Sequence, residues 1–110
     1  MFAIADVVAA SARIAGRVHR TPLLSAAFLG RPLGVTVFLK CECLQKTGSF
    51  KARGALNKIL SLAASERAKG IVTVSAGNHA QAGAWASQLV EAPCVVVMPG
   101  DAPRAKIDAT

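Results

Sequence analysis

Lys51 lies in the stretch KTGSFKARGALNK, Lys46 to Lys58, where small, backbone-permissive residues lead directly into a lysine and then into a helical pattern. Gly48 permits a tight turn, and Thr47 or Ser49 is placed to cap the helix through its hydroxyl. Lys51 then falls in the first helical turn. The positive end of the helix macrodipole disfavours a cation there, and the same field favours the neutral amine. A neutral amine condenses with an aldehyde to a Schiff base and also abstracts protons, so a partly buried lysine at this position suits covalent carbonyl chemistry. Taken alone, a solvated surface lysine is the simpler account of this segment.

A second stretch, VSAGNHAQ from Val74 to Gln81, joins a strand to a helix through Gly77. Backbone N–H groups at such a helix start point at an anion above the carboxyl end of the strand. Neither the GxGxxG of dinucleotide folds nor the GxxxxGK[ST] of phosphate loops is present, so a carboxylate or a small phosphorylated ligand fits better than a nucleotide. Asn78 adds an amide that both donates and accepts. His79 could serve as a general base, but a histidine at a helix start more often makes a structural hydrogen bond, which is the reading favoured here.

The elements that must position these residues alternate along the chain. Ala, Val and Ile with interspersed Arg predict an amphipathic helix from about Ile4 to Val18, ended at Pro22 in RTPLL, with a turn at GRPLG. VTVFLKCE, Val35 to Glu42, reads as a strand. In the helix after Lys51, Ala52, Ala55, Leu56, Ile59, Leu60 and Ala63 form one apolar stripe. A short polar helix in ASERAKG, a strand IVTV, a helix GNHAQAGAWASQLV, a strand CVVVM and a helix start after Pro103 follow. Strand, helix, strand, helix, strand in this order predicts an α/β fold, a parallel sheet with crossover helices.

The 110 residues amount to one small domain's worth of chain, 53% hydrophobic and 17% charged, enough to bury a core. No apolar run reaches the roughly 18 residues of a membrane span. With no export signal the cytoplasm is the default expectation, although the Ala- and Arg-containing start faintly suggests an organelle transit peptide. Cys41, Cys43 and Cys94 are expected as free or buried thiols, the first two on one face of a strand, without the further ligands that zinc needs. A formal charge of +7 raises nucleic acid as a partner. The basic residues are scattered, however, Tyr is absent, and the four Phe and one Trp do not interleave with them as a stacking surface requires.

The two chemical stretches together closely resemble the fold-type II pyridoxal-phosphate enzymes, of tryptophan synthase β-like architecture, in the threonine dehydratase and serine racemase branch. LQKTGSFKARGALNK is similar to the segment bearing the cofactor lysine, and SAGNHAQ to the loop that binds the substrate carboxylate and faces the cofactor ring. RTPLL and VVVMPGDAPRAKIDAT also resemble stretches of that family in matching order. Cysteine synthases, threonine synthases and tryptophan synthase β chains carry a GNT-type sequence where this chain has GNH. Cys43 stands where the family usually has Asn, a departure touching local packing or a hydrogen bond at the cofactor edge.

The resemblance implies pyridoxal 5'-phosphate as cofactor and assigns roles by position. Lys51 would carry the cofactor and remove the substrate's α-proton; Phe50 would pack on the cofactor ring; Asn78 would hydrogen-bond its ring hydroxyl. Ser75, Ala76, Gly77, Asn78 and His79 would form the substrate-carboxylate site. The implied reaction is β-elimination of L-threonine or L-serine to a 2-oxo acid and ammonia, in amino-acid metabolism. Serine racemases typically place a Ser where this chain has Ala76, and a methyl group transfers no proton. Racemisation, a serine-preferring dehydratase, a small-molecule-binding module and a non-catalytic remnant are the alternatives. The resemblance further implies residues 1–42 as the N-terminal part of a larger domain and residues 43–110 as most of a smaller one. A small amino-acid substrate is then the expected partner, with neither nucleic acid nor membrane, and a homo-oligomer at full length. The 110 residues by themselves are expected to be inactive, because no stretch here resembles the family's glycine-rich phosphate loop.

Overall fold

A computed structural model describes residues 3–110. Helix α1 (Ile4–Ile14) opens with the Ala3 N–H donating to Asp6 Oδ2 at 2.8 Å, and the carboxylate sits favourably at the helix N-terminus. It ends sooner than the predicted Val18. Gly16 adopts φ +75°, a left-handed turn that only glycine enters cheaply, and Val18 returns to pack on the core beyond it.

Two short strands follow, β1 (Leu23–Ser25) and β2 (Phe38–Lys40). They pair antiparallel, with Leu23 opposite Lys40 and Ser25 opposite Phe38. This corrects the sequence-based reading twice. Strand β1 was not expected, and β2 belongs to this hairpin rather than to the parallel sheet. Bonds from Ala26 N to Val37 O at 2.9 Å and from Cys41 N to Pro22 O at 3.0 Å extend the ladder at both ends, so the β2 edge is taken by its own hairpin partner. The connection runs through helix α2 (Ala27–Gly30) and a 3₁₀ turn closed by Gly34 at φ +63°. Cys41 follows β2 and Cys43 falls in the 3₁₀ turn Glu42–Leu44, so these two free thiols do not share a strand face as expected.

The second half holds the crossover unit. Helix α3 (Lys51–Ser61) and a short helix α4 (Ala64–Arg67) lead into β3 (Ile71–Val74), then α5 (Asn78–Leu89), β4 (Cys94–Val97) and α6 (Arg104–Asp108). Strands β3 and β4 are parallel, Ile71 opposite Cys94 and Val74 opposite Val97, as a strand–helix–strand crossover requires. Ser75 N to Val97 O, at 3.0 Å, adds one more rung just before α5 begins.

Helix α3 packs on α5 through the predicted stripe. Ala52, Leu56 and Ile59 are buried, Ala55 and Leu60 half-buried, and Ala63 lies exposed past the helix end. Ala80, Ala82, Gly83 and Ala86 of α5 are all buried, and these small side chains let the helix approach its neighbours closely, with Ala86 meeting Leu56 and Ile59 of α3 in the core. A Cβ at Gly83 would meet Thr73 Cγ2 at 3.4 Å, so α5 also lies tightly on β3. Ile14 from α1 joins Leu56, Ile59 and Ala86 in the core cluster. Complete burial of Leu56 alone is worth about 1.5–3 kcal/mol. No helix among the described residues is long and apolar enough to cross a membrane.

Candidate active site

Lys51 is the first residue of α3, in the first turn as its sequence neighbours predict. The turn before it depends on two left-handed residues, Thr47 at φ 58° and Gly48 at φ 68°. The expected hydroxyl cap does not form. Phe50 occupies the N-cap position with no side-chain acceptor, while Ser49 lies one residue earlier in extended backbone, too far back to reach the first free N–H groups. The Thr47 and Ser49 hydroxyls are instead buried with no partner among the described residues.

Lys51 and Phe50 stand together on a cleft of about 360 Å³, with Nζ 5.3 Å from the phenyl centroid. Both residues are exposed. Gly54, Ala55, Lys58 and Ile59 of α3, Ile71 to Thr73 of β3, and His79 and Gly83 of α5 form the remaining walls. Gly54 is informative. It lies inside a helix, where glycine costs about 1 kcal/mol relative to alanine, and a Cβ there would touch nothing within 4 Å. Packing within the chain therefore does not demand a glycine, and the open space lies on the cleft that Lys51 also lines.

Ser75, Ala76 and Gly77 make the turn from β3 into α5, and Asn78 is the first helical residue. Ser75 Oγ accepts from Gly77 N at 3.1 Å, which folds the turn back on itself. Gly77 offers no side-chain cap, and the N–H groups of Asn78, His79 and Ala80 carry no hydrogen bond among the described residues. Three free donors thus lie at the positive end of a twelve-residue helix, an arrangement that favours an anion. Of this turn, His79 lines the Lys51 cleft, while Ser75, Ala76, Gly77 and Asn78, in the loop and at the helix start, are not among its lining residues. The structural hydrogen bond favoured for His79 is absent: its ring has no partner among the described residues and is exposed beside the cleft.

Sequence reasoning missed the polar network behind Lys51. Arg53 grips Glu42 with two bonds, Nε to Oε2 at 2.8 Å and Nη2 to Oε1 at 2.7 Å. Thr21 donates its hydroxyl to Glu42 Oε1 at 2.5 Å, and Lys40 Nζ donates to the Thr21 carbonyl at 2.7 Å. Buried Gln45 pairs with the His19 backbone both ways, accepting from N at 2.9 Å and donating to O at 2.8 Å, while His19 Nδ1–H donates to Leu44 O at 2.9 Å. The Arg53 hydrogen bond holds the Glu42 carboxyl down at about 2, against an opposing push from partial burial, with Thr21 and Lys40 adding to the lowering. Arg53 is correspondingly raised by Glu42. The only signal in the sequence was a lone acid between two turns and an arginine two residues after the lysine.

The profile of a family described as pyridoxal-phosphate dependent enzymes matches residues 14–110. The L-threo-3-hydroxyaspartate ammonia-lyase of a Pseudomonas species is 47% identical over 105 residues, 96% of this chain and 33% of that protein. The L-threonine ammonia-lyase of Thermotoga maritima is 46% identical over 110 residues, all of this chain and 27% of that protein. Among solved structures, serine racemase from Dictyostelium discoideum superposes with a TM-score of 0.90 at 46% identity, covering 96% of this chain and 35% of that one. The chain thus spans about a third of the length of the curated relatives it matches.

Proposed function

The chain belongs to the pyridoxal-phosphate dependent enzyme family, and from that membership we propose that it carries the reactive lysine and the substrate-carboxylate site of an ammonia-lyase. The substrate class is a small L-amino acid with a β-hydroxyl, L-threonine or L-serine, which leaves as a 2-oxo acid and ammonium. The observation that carries this reading is the meeting of Lys51, Phe50 and His79 on one cleft in which Gly54 leaves open space.

The residues present suit the cofactor. Its volume of about 360 Å³ places the cleft among small-molecule sites, which run from roughly 300 Å³ upward. When bound, pyridoxal phosphate supplies an electron sink for charge developing at the substrate α-carbon. Lys51 would hold the cofactor and afterwards take the α-proton on Nζ. Phe50 gives an apolar wall, and Asn78 offers an amide to the ring hydroxyl. The free N–H groups of Asn78 and His79, in a turn shaped by Ser75 and Gly77, would bind the substrate carboxylate and so orient the α C–H bond toward the amine. Elimination is favoured over racemisation because Ala76 offers no proton from this loop.

Borohydride reduction in the presence of pyridoxal phosphate, followed by peptide mapping, tests the assignment. The label is expected on Lys51; its appearance on Lys40, Lys46 or Lys58 in place of Lys51 overturns it. Within a longer protein containing this chain, L-threonine, L-serine and 3-hydroxyaspartate supplied in parallel identify the substrate through the 2-oxo acid released.

A further inference from the structure

Helix α3 begins without the usual devices for holding a first turn. Its N-cap, Phe50, has no side-chain acceptor, no acidic residue lies in its first turn, and Lys51 and Arg53 place positive charge at the positive end of its dipole. A turn of this composition frays when unsupported, and Lys51 sits at its very start. We propose that Glu42 and Arg53 form a clamp that replaces the missing cap, making both positioning residues that fix Lys51 against the cleft.

The geometry carries the inference in three steps. The grip is a two-bond fork between guanidinium and carboxylate, which sets angle as well as distance and brings to the helix start the negative charge that its own sequence lacks. Glu42 is anchored in turn by the Thr21 hydroxyl, and Arg53 Nη2 also donates to His19 O at 3.1 Å, so the first turn of α3 is tied to the segment entering β1. Finally, Lys51 and Arg53 are two residues apart, about 200° around the helix, so the clamp grips from behind and leaves the Lys51 amine facing the cleft. The low titration of Glu42 keeps the fork charged at neutral pH. That Lys51 is the cofactor lysine is taken from the functional reading above; the clamp itself stands on these contacts.

The test compares the full chain with Arg53→Met, which keeps the aliphatic stem, and Arg53→Lys, which keeps the charge without the fork. Backbone hydrogen exchange is read at the Gly48 and Arg53 amides, which bond the Gln45 and Phe50 carbonyls, against the amides of β3, β4 and α5. In Arg53→Met the two reporter amides are expected to exchange roughly tenfold faster while β3, β4 and α5 stay within about twofold, with Arg53→Lys in between. The share of pyridoxal-phosphate label on Lys51, relative to Lys46 and Lys58, is expected to fall about threefold or more in the same order. Faster exchange spread evenly over the chain, or no change at the reporter amides, overturns the clamp. Should Arg53→Met fail to fold, Glu42→Gln, which leaves a neutral acceptor in place, must show the same local pattern. A wild-type label on Lys46 or Lys58 sinks the functional reading of Lys51 alone, and the exchange measurement then decides the clamp by itself.

Discussion

At the residue scale, Lys51 was legible because its neighbours are conformationally specific. Thr47 and Gly48 form a left-handed turn and a helix follows, so the lysine has one place to go. Its cap was not legible, since whether Ser49 or Phe50 takes the N-cap position depends on where the chain leaves extended backbone, a choice made by tertiary contacts. Nor was the Glu42–Arg53 pair, whose partners belong to different elements and meet only once the hairpin has folded. That pair gives a pH dependence of definite sign. The Glu42 carboxyl falls from its ordinary 4.5 to about 2 on folding, so its contribution to stability is complete above 4.5 and disappears as pH drops through about 2. Glu42→Gln is therefore expected to cost on the order of 1–3 kcal/mol at neutral pH, measured by urea denaturation, and progressively less as pH falls below about 4. A cost independent of pH would show that the charge contributes nothing. Ala76 makes a chemical prediction at the same scale. In a longer protein containing this chain, Ala76→Ser should raise D-product relative to 2-oxo acid by supplying a hydroxyl proton, and an unchanged ratio removes Ala76 as the determinant.

At the element scale, the β3–α5–β4 crossover could be read from its pattern, two four-residue runs rich in β-branched residues separated by a helix entered through glycine. Strand β1 could not. Three residues are too few for an alternating pattern to register, and Leu23 and Leu24 beside Pro22 look like a helix break rather than a strand. Helix α3 shows how an element can be tuned away from its own best stability. Gly54 adopts ordinary helical backbone with open space where a Cβ would go, so Gly54→Ala is expected to stabilise the chain by about 0.5–1 kcal/mol. The added methyl projects into the Lys51 cleft, however, and should lower the rate of pyridoxal-phosphate labelling at Lys51. A higher melting temperature with slower labelling is the expected pair of results. A variant that labels as fast as the parent would show that the space beside Gly54 is not used.

At the scale of the whole molecule, the core is small and one-sided. Ile14, Leu56, Ile59 and Ala86 bury well, but the outer face of the parallel pair is bare: Val72 is 72% and Val74 73% exposed, with Val95 and Val97 beside them at 59% and 48%. Helix α1 likewise turns Ile4, Val7 and Val8 to solvent. Contiguous apolar surface of this kind is costly in water, and each strand of the pair also keeps one edge without a strand partner among the described residues. We expect the 110 residues on their own to self-associate at micromolar concentration, read as sedimentation that speeds up with loading. Replacing Val72 and Val95, which stand opposite each other on the bare face, with Thr should shift the chain toward monomer without disturbing the α3–α5 core. The same chain, given pyridoxal phosphate and L-threonine, should release no more 2-oxobutanoate than its Lys51→Ala counterpart, because Lys51 and Phe50 lie exposed and orientation of the reacting groups depends on enclosure. Turnover above that control from a stable monomer would mean that these residues already hold everything the reaction needs, and that the bare valine face has no part in completing the site.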